Sequence, residues 1–182
     1  TRLASAGTLA GLSESEIMAL ATAMSSVGIE AEAGGTAMTQ TLSAIESAAA
    51  KGGDSLQQFA DVAGVSATEF AKLWSTSPIT AIQKFIAGLG QLDEKGESAV
   101  LVLDEMGLSG VRQSNMLKSL ALASDTLSGA VALSSQAWSE NTALSEEAGK
   151  RYATTESRIE MCKNAAVGLQ AAIGDALTPA LG

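Results

Sequence analysis

The sequence predicts an all-α protein: a multi-helix bundle of short helices followed by a long C-terminal helix with coiled-coil-like heptads. Three observations carry this. Alanine occurs 34 times in 182 residues, whereas proline occurs only at Pro78 and Pro179; alanine loses least on entering a helix and proline most. Aromatic residues make up 3% of the chain, and the aromatic and β-branched residues that favour strands are thinly spread. Finally, apolar residues recur at helical spacing, as in Ile17, Leu20, Ala21, Met24 and Val27, which share one face of a 3.6-residue helix. With 46% apolar residues, a chain of this length buries a real core.

The first predicted helix starts at Ser13, which caps it. Glu16 completes an S-x-x-E capping box, Leu12 staples onto Ile17, and Gly28 is the stop. The next apolar face is Met38, Thr41, Leu42, Ile45 and Ala49; Gly34 and Gly35 weaken its first turn, and Gly52-Gly53 end it. Asp54 is expected to cap a short helix whose face is Leu56, Phe59, Ala60 and Ala63. Ser66 and Glu69 repeat the capping box, with Val65 stapling onto Phe70. GLSESEI and GVSATEF thus match in their caps, but the residues after them do not, so shared capping chemistry explains them better than an internal repeat. Ser77 caps the following helix, with Pro78 at its first position, where the missing N–H needs no partner. Its face is Ile79, Ile82, Phe85, Ile86 and Leu89, and Gly88 and Gly90 are expected to fray its end. A helix over 97–106 stops at Gly107, and Ser109 begins another carrying Val111, Met116, Leu117 and Leu120.

Beyond Asp125 the pattern changes. Tyr152, Thr155, Ile159, Cys162, Ala166, Leu169, Ile173 and Ala176 step by alternating threes and fours, a heptad seam. A helix from Ala143 to Thr178 would be roughly 50 Å long at 1.5 Å per residue. The predicted organisation is a compact bundle over 1–123 and a long helical segment over 124–182. The chain does not begin with Met and stops at Gly182; it is expected to be a fragment of a much longer protein, with any targeting signal outside it.

Composition narrows the chemistry. The chain has no histidine and one cysteine, Cys162. It therefore builds no Ser-His-Asp triad, Cys-His dyad, internal disulfide or multi-cysteine zinc site by itself. Net charge is −9, and no basic face of the kind a nucleic-acid binder presents is visible. Residues 1–105 carry 13 acidic and 5 basic side chains, whereas 106–182 carry 7 and 6, so the front is acidic and the long helix balanced. The longest uncharged stretch runs only from Thr126 to Ser139, short of the ~20 apolar residues of a membrane span.

Several residue groups could in principle carry chemistry. The carboxylate pairs Glu14/Glu16, Glu30/Glu32, Asp93/Glu94, Asp104/Glu105 and Glu146/Glu147 fall at helix ends or polar faces, where solvated, dipole-favourable acids explain them better than a glycosidase pair. Cys162 lies on the apolar seam with no histidine to activate it, so it reads as packing. Gly88-Leu89-Gly90 lacks the spacing and Lys-Ser/Thr of a phosphate loop. Gly7-x-x-x-Gly11 lies in no long apolar stretch. No D-x-D-x-D-G run offers an oxygen-ligand metal loop. The segment from Phe59 to Phe85 holds four of the six aromatics, and their helical spacing makes a core a better reading than a ligand pocket. The prediction is no enzyme, no catalytic, cofactor-binding or metal-ligating residue, and no cofactor.

A series of segments then adds a resemblance: GLSESEIMALATAMSSVGIEAEAGGTAM at 11–38, FADVAGVSATEFAKLW at 59–74, FIAGLGQL at 85–92, EMGLSGVRQ at 105–113, ENTALSEEAGKRYATTESRIEMCKN at 140–164 and IGDALTPALG at 173–182. In this order, across most of the chain, it resembles the core region of bacteriophage or prophage tail tape measure proteins. The resemblance implies a long helical protein that fills the lumen of the tail tube during assembly, sets tail length as a molecular ruler, and leaves when DNA is ejected. It implies tail tube protein, tail assembly chaperones and tail-tip proteins as partners, with the virion tail lumen, and the host cytoplasm during assembly, as locations. It carries over no catalytic residue. A homo-oligomer through the C-terminal helix, no specific nucleic acid and no stable membrane span complete the expectation. The competing reading is a non-enzymatic helical adaptor or effector of a bacterium. A membrane-active helix is a third, weakened by the lack of a basic amphipathic face.

Overall fold

The computed structural model describes residues 2–92, 96–140 and 142. The fold is all-α, and no strand occurs among the described residues. Eight helices run in order: α1 (Arg2–Leu9), α2 (Glu14–Ser26), α3 (Ala31–Lys51), α4 (Gly53–Ala63), α5 (Ala67–Thr76), α6 (Pro78–Gln91), α7 (Ala99–Glu105) and α8 (Val111–Leu122). A further helical stretch occupies 124–140. The chain divides into two units, Thr1–Gln136 and Ala137–Gly182; the first holds the core described below, including the buried Leu127. The heptad seam from Tyr152 to Ala176, and with it the predicted long helix, lies outside the described residues.

Helix starts follow their caps. The Ser13 hydroxyl accepts from the Glu16 N–H (3.3 Å), and the Ser13 N–H donates to Glu16 Oε2 (2.7 Å), closing the box at the start of α2. Ser66 accepts from the Glu69 N–H (3.2 Å) at the start of α5. Each satisfies an amide that the first turn leaves without a helical acceptor. Elsewhere the caps differ from expectation. Gly52, not Asp54, is the N-cap of α4, and the same residue ends α3. Its φ of 68° and ψ of −152° lie in a region open essentially to glycine alone, and Gly53 beside it is also at φ 68°, so the joint is built from two glycines. Asp54 sits inside the first turn of α4. Ser77 similarly ends α5 and begins α6, but its hydroxyl pairs with Thr80 Oγ1 (2.7 Å) instead of capping an amide. α7 begins one residue after Ser98, and α8 begins after Gly110, not at Ser109. Val111, expected on the buried face of α8, is 78% exposed; Met116, Leu117 and Leu120 are buried as expected.

The core centres on α3 and α6. α3 contacts α1, α2, α4, α5 and α8 and buries Met38, Thr41, Leu42 and Ile45. Gly34 and Gly35 lie within α3 and are buried. α6 buries Ile79, Ile82, Phe85, Ile86 and Leu89. Phe59 of α4 joins Phe70 of α5 and Phe85 of α6, with ring centroids 6.0 and 5.1 Å apart. Such pairs add about 0.5–1.5 kcal/mol beyond the area they bury. The aromatics are therefore core.

Gly88 and Gly90 do not fray α6, which continues to Gln91. A Cβ on Gly88 would collide with the Val62 carbonyl oxygen of α4, and one on Gly90 would lie 2.8 Å from the Ala121 carbonyl oxygen of α8. The two glycines let the last turn of α6 lie directly against two neighbouring backbones. Weaker helix propensity here is exchanged for closer packing.

Candidate functional site

α1, which no apolar periodicity announces, lines two openings in the bundle. It packs against α3 and α2. Leu3 lies over Gly35 of α3, and Gly7 faces the Ile17 side chain of α2 so closely that a Cβ would touch it. Gly7 is thus a packing residue, and Gly11, at φ 82°, lies in the turn that follows α1.

Near the start of α1 is a groove of about 450 Å³ whose lining includes Leu3, Met24, Ile29 and Gly35, with Glu32 among its residues. A second groove, of about 720 Å³ between α1 and α3, includes Ala6, Leu9, Leu42 and Glu46. Both are largely apolar with a single carboxylate residue. Ser5, Thr39, Ser43 and Ser47 also line the larger groove. Glu46 is already engaged, because its Oε2 accepts from Trp74 Nε1 at 2.6 Å, joining α3 to α5. That bond, across 28 residues, leaves no local signature in sequence.

Among the described residues the carboxylate pairs sit at the ends of three different helices. Glu14 and Glu16 begin α2, with Glu16 committed to the capping box. Glu30 is the N-cap of α3 without a side-chain cap bond, and Glu32 lies in its first turn. Asp104 and Glu105 close α7, in the last turn of the helix predicted over 97–106, and so sit at the negative end of its dipole. Asp93/Glu94, Glu146/Glu147 and Cys162 lie outside the described residues. No group of three acidic or cysteine side chains converges to hold a metal among the described residues.

Buried polarity is fully partnered. Gln113 Nε2 of α8 donates to Thr41 Oγ1 of α3 (3.1 Å), and Thr41 Oγ1 donates to the Ala37 carbonyl (3.0 Å). Among the described residues no buried side-chain nitrogen or oxygen lacks a hydrogen-bond partner. A polar group held unpaired and aimed at a ligand is a frequent mark of a functional site; here Thr41 and Gln113 serve packing instead.

No helix of the described residues is long and apolar enough to cross a membrane. No protein-family model matches the sequence, and neither a curated protein nor a solved structure matches it.

Proposed function

We propose that the chain is the core region of a phage tail tape measure protein: a structural ruler that occupies the tail tube lumen before DNA ejection. The ordered series of resembling segments from residue 11 to residue 182 carries this reading. The fold supports it physically. A ruler needs a fixed length per residue, and a helix supplies 1.5 Å. The described chain is mostly helix, and two of its joints are single residues: Gly52 separates α3 from α4, and Ser77 separates α5 from α6. Rotation at a few such positions would convert folded helices into extended ones without melting them, as hinge transitions do. In this reading the tail tube protein assembles around the chain, and the assembly chaperones and tail-tip proteins are its other partners.

The test uses the complete gene in the phage that carries it. Removing the codons for residues 1–136 should shorten tails by about 200 Å, at 1.5 Å per residue in helical form, and duplicating them should lengthen tails by as much. Electron microscopy of purified tails reads both. Tails of unchanged length in both strains would refute the ruler and leave a helical adaptor or effector as the better account.

A further inference from the structure

Val100, Leu101, Val102 and Leu103 form the longest run of large aliphatic residues in the chain, and from Ser98 to Leu103 there is no charge, proline or glycine. Valine fits a strand better than a helix, and uncharged segments of this length and kind stack between copies of a chain into paired sheets. The fold nevertheless holds them as α7. It does so with one buried side chain, Leu103, whereas Val100 and Leu101 are 52% and 64% exposed. α8 is the helix that α7 packs on most, and Ser98 gives α7 no side-chain cap. Gly96 and Gly107, at φ 79° and 71°, are joints on either side of it. Just beyond them the chain is anchored by the buried Leu92 and Leu108. α7 can therefore leave α8 and return while both anchors stay seated.

Asp104 and Glu105 weaken this helix further. They stand in its last turn, where negative charge opposes the helix dipole, and no basic residue shares that turn. Both side chains are exposed. Their place makes sense in the open form. We infer that α7 opens locally into a segment able to pair with the same segment of a second copy of the chain, and that Asp104 and Glu105 stand at the unfavourable end of the helix because they oppose that pairing. Identical residues of copies stacked in register lie about 4.8 Å apart, so each Asp104 meets another Asp104 and each Glu105 another Glu105. Two like-charge pairs at that distance in water weaken pairing about 20-fold. Glu97, just before the run, guards its other end in the same way. This rests on packing and charge alone and holds whether or not the chain is a tape measure core.

Two readouts on the 182-residue chain test it: amide hydrogen exchange by mass spectrometry, and thioflavin fluorescence during incubation well below the Tm. In the unsubstituted chain, amides of 99–105 should exchange about 100-fold or more faster than those of 78–91, with little dependence on low urea, because local opening exposes little surface. Asp104→Asn with Glu105→Gln should slow exchange of 99–105 about threefold, by relieving the dipole, yet shorten the time to aggregate about fivefold or more. Glu30→Gln with Glu32→Gln removes the same charge from exposed positions at the start of α3; it should leave exchange of 99–105 unchanged and shorten aggregation less than about twofold. Adding Leu101→Lys, at an exposed position, to the first pair should abolish its acceleration of aggregation. Exchange of 99–105 at the same rate and with the same urea dependence as 78–91 would overturn the inference. So would aggregation of the Asp104/Glu105 variant no faster than that of the Glu30/Glu32 variant, or an acceleration that survives Leu101→Lys.

Discussion

Gly88→Ala is the most informative single substitution in this bundle, because two effects of known sign oppose each other there. Alanine is favoured over glycine in a helix interior by about 1 kcal/mol, and Gly88 lies inside α6. Against that, the new Cβ would meet the Val62 carbonyl oxygen and carbon of α4. These are backbone atoms in a helix and cannot rotate away. α6 must move from α4 by about an ångström, and the move loosens Phe85 against Phe59, whose centroids are 5.1 Å apart. Overpacking a well-filled core costs about 1–3 kcal/mol and occasionally more, and a clash with backbone belongs at the upper end. The net expectation is a loss of about 2–3 kcal/mol, or a fall in Tm of about 10 °C for a domain of this size. Gly90→Ala should be milder than Gly88→Ala but still destabilising, since its Cβ would lie 2.8 Å from the Ala121 carbonyl oxygen, a backbone atom that cannot turn aside. Gly129→Ala, with nothing within 4 Å and in helical backbone, should stabilise by about 0.5–1 kcal/mol. Urea unfolding followed by far-UV circular dichroism orders the three. Gly88→Ala at or above wild-type stability would refute the close-approach reasoning.

Other expectations follow from the same packing. Thr41→Val leaves Gln113 Nε2 buried without its acceptor and should cost about 1–3 kcal/mol; adding Gln113→Leu should recover part of that loss, read as a coupling in a double-mutant cycle by urea titration. Ser13→Ala removes a capping box and Ser66→Ala a cap, each expected to lower stability by about 1 kcal/mol in thermal melts. Phe85→Ala empties the centre of the aromatic cluster and should cost about 3–5 kcal/mol, with loss of near-ultraviolet dichroism if the cluster is what orders its rings.

Helix starts were legible wherever the cap is local. Ser13 with Glu16, and Ser66 with Glu69, announce themselves because donor and acceptor lie within one turn. The buried faces of α4 and α6 were equally readable from their apolar spacing. Legibility failed where the deciding partner is distant. Gly88 and Gly90 look like helix breakers until α4 and α8 are placed beside them. The α4 cap is Gly52, set by the positive φ of Gly52 and Gly53 at the joint, which Asp54 does not reveal. α1 carries alanine, glycine and a single buried leucine, so its pattern is too weak to read without the groove that receives it. The grooves themselves arise from three separate segments and have no linear signature.

The bond between Gln113 and Thr41 joins residues 72 apart in the chain, and this separation has a consequence for synthesis. A ribosome adding about 5–20 residues per second needs roughly 4–14 s to move from one partner to the other. Throughout that interval the side of α3 that α8 will cover has no lid from its own chain. The nascent protein thus shows an apolar, partly formed helical surface for seconds before the bundle can close, long compared with the microseconds in which its single helices form. That window closes only when α8 has been made and packs onto α3.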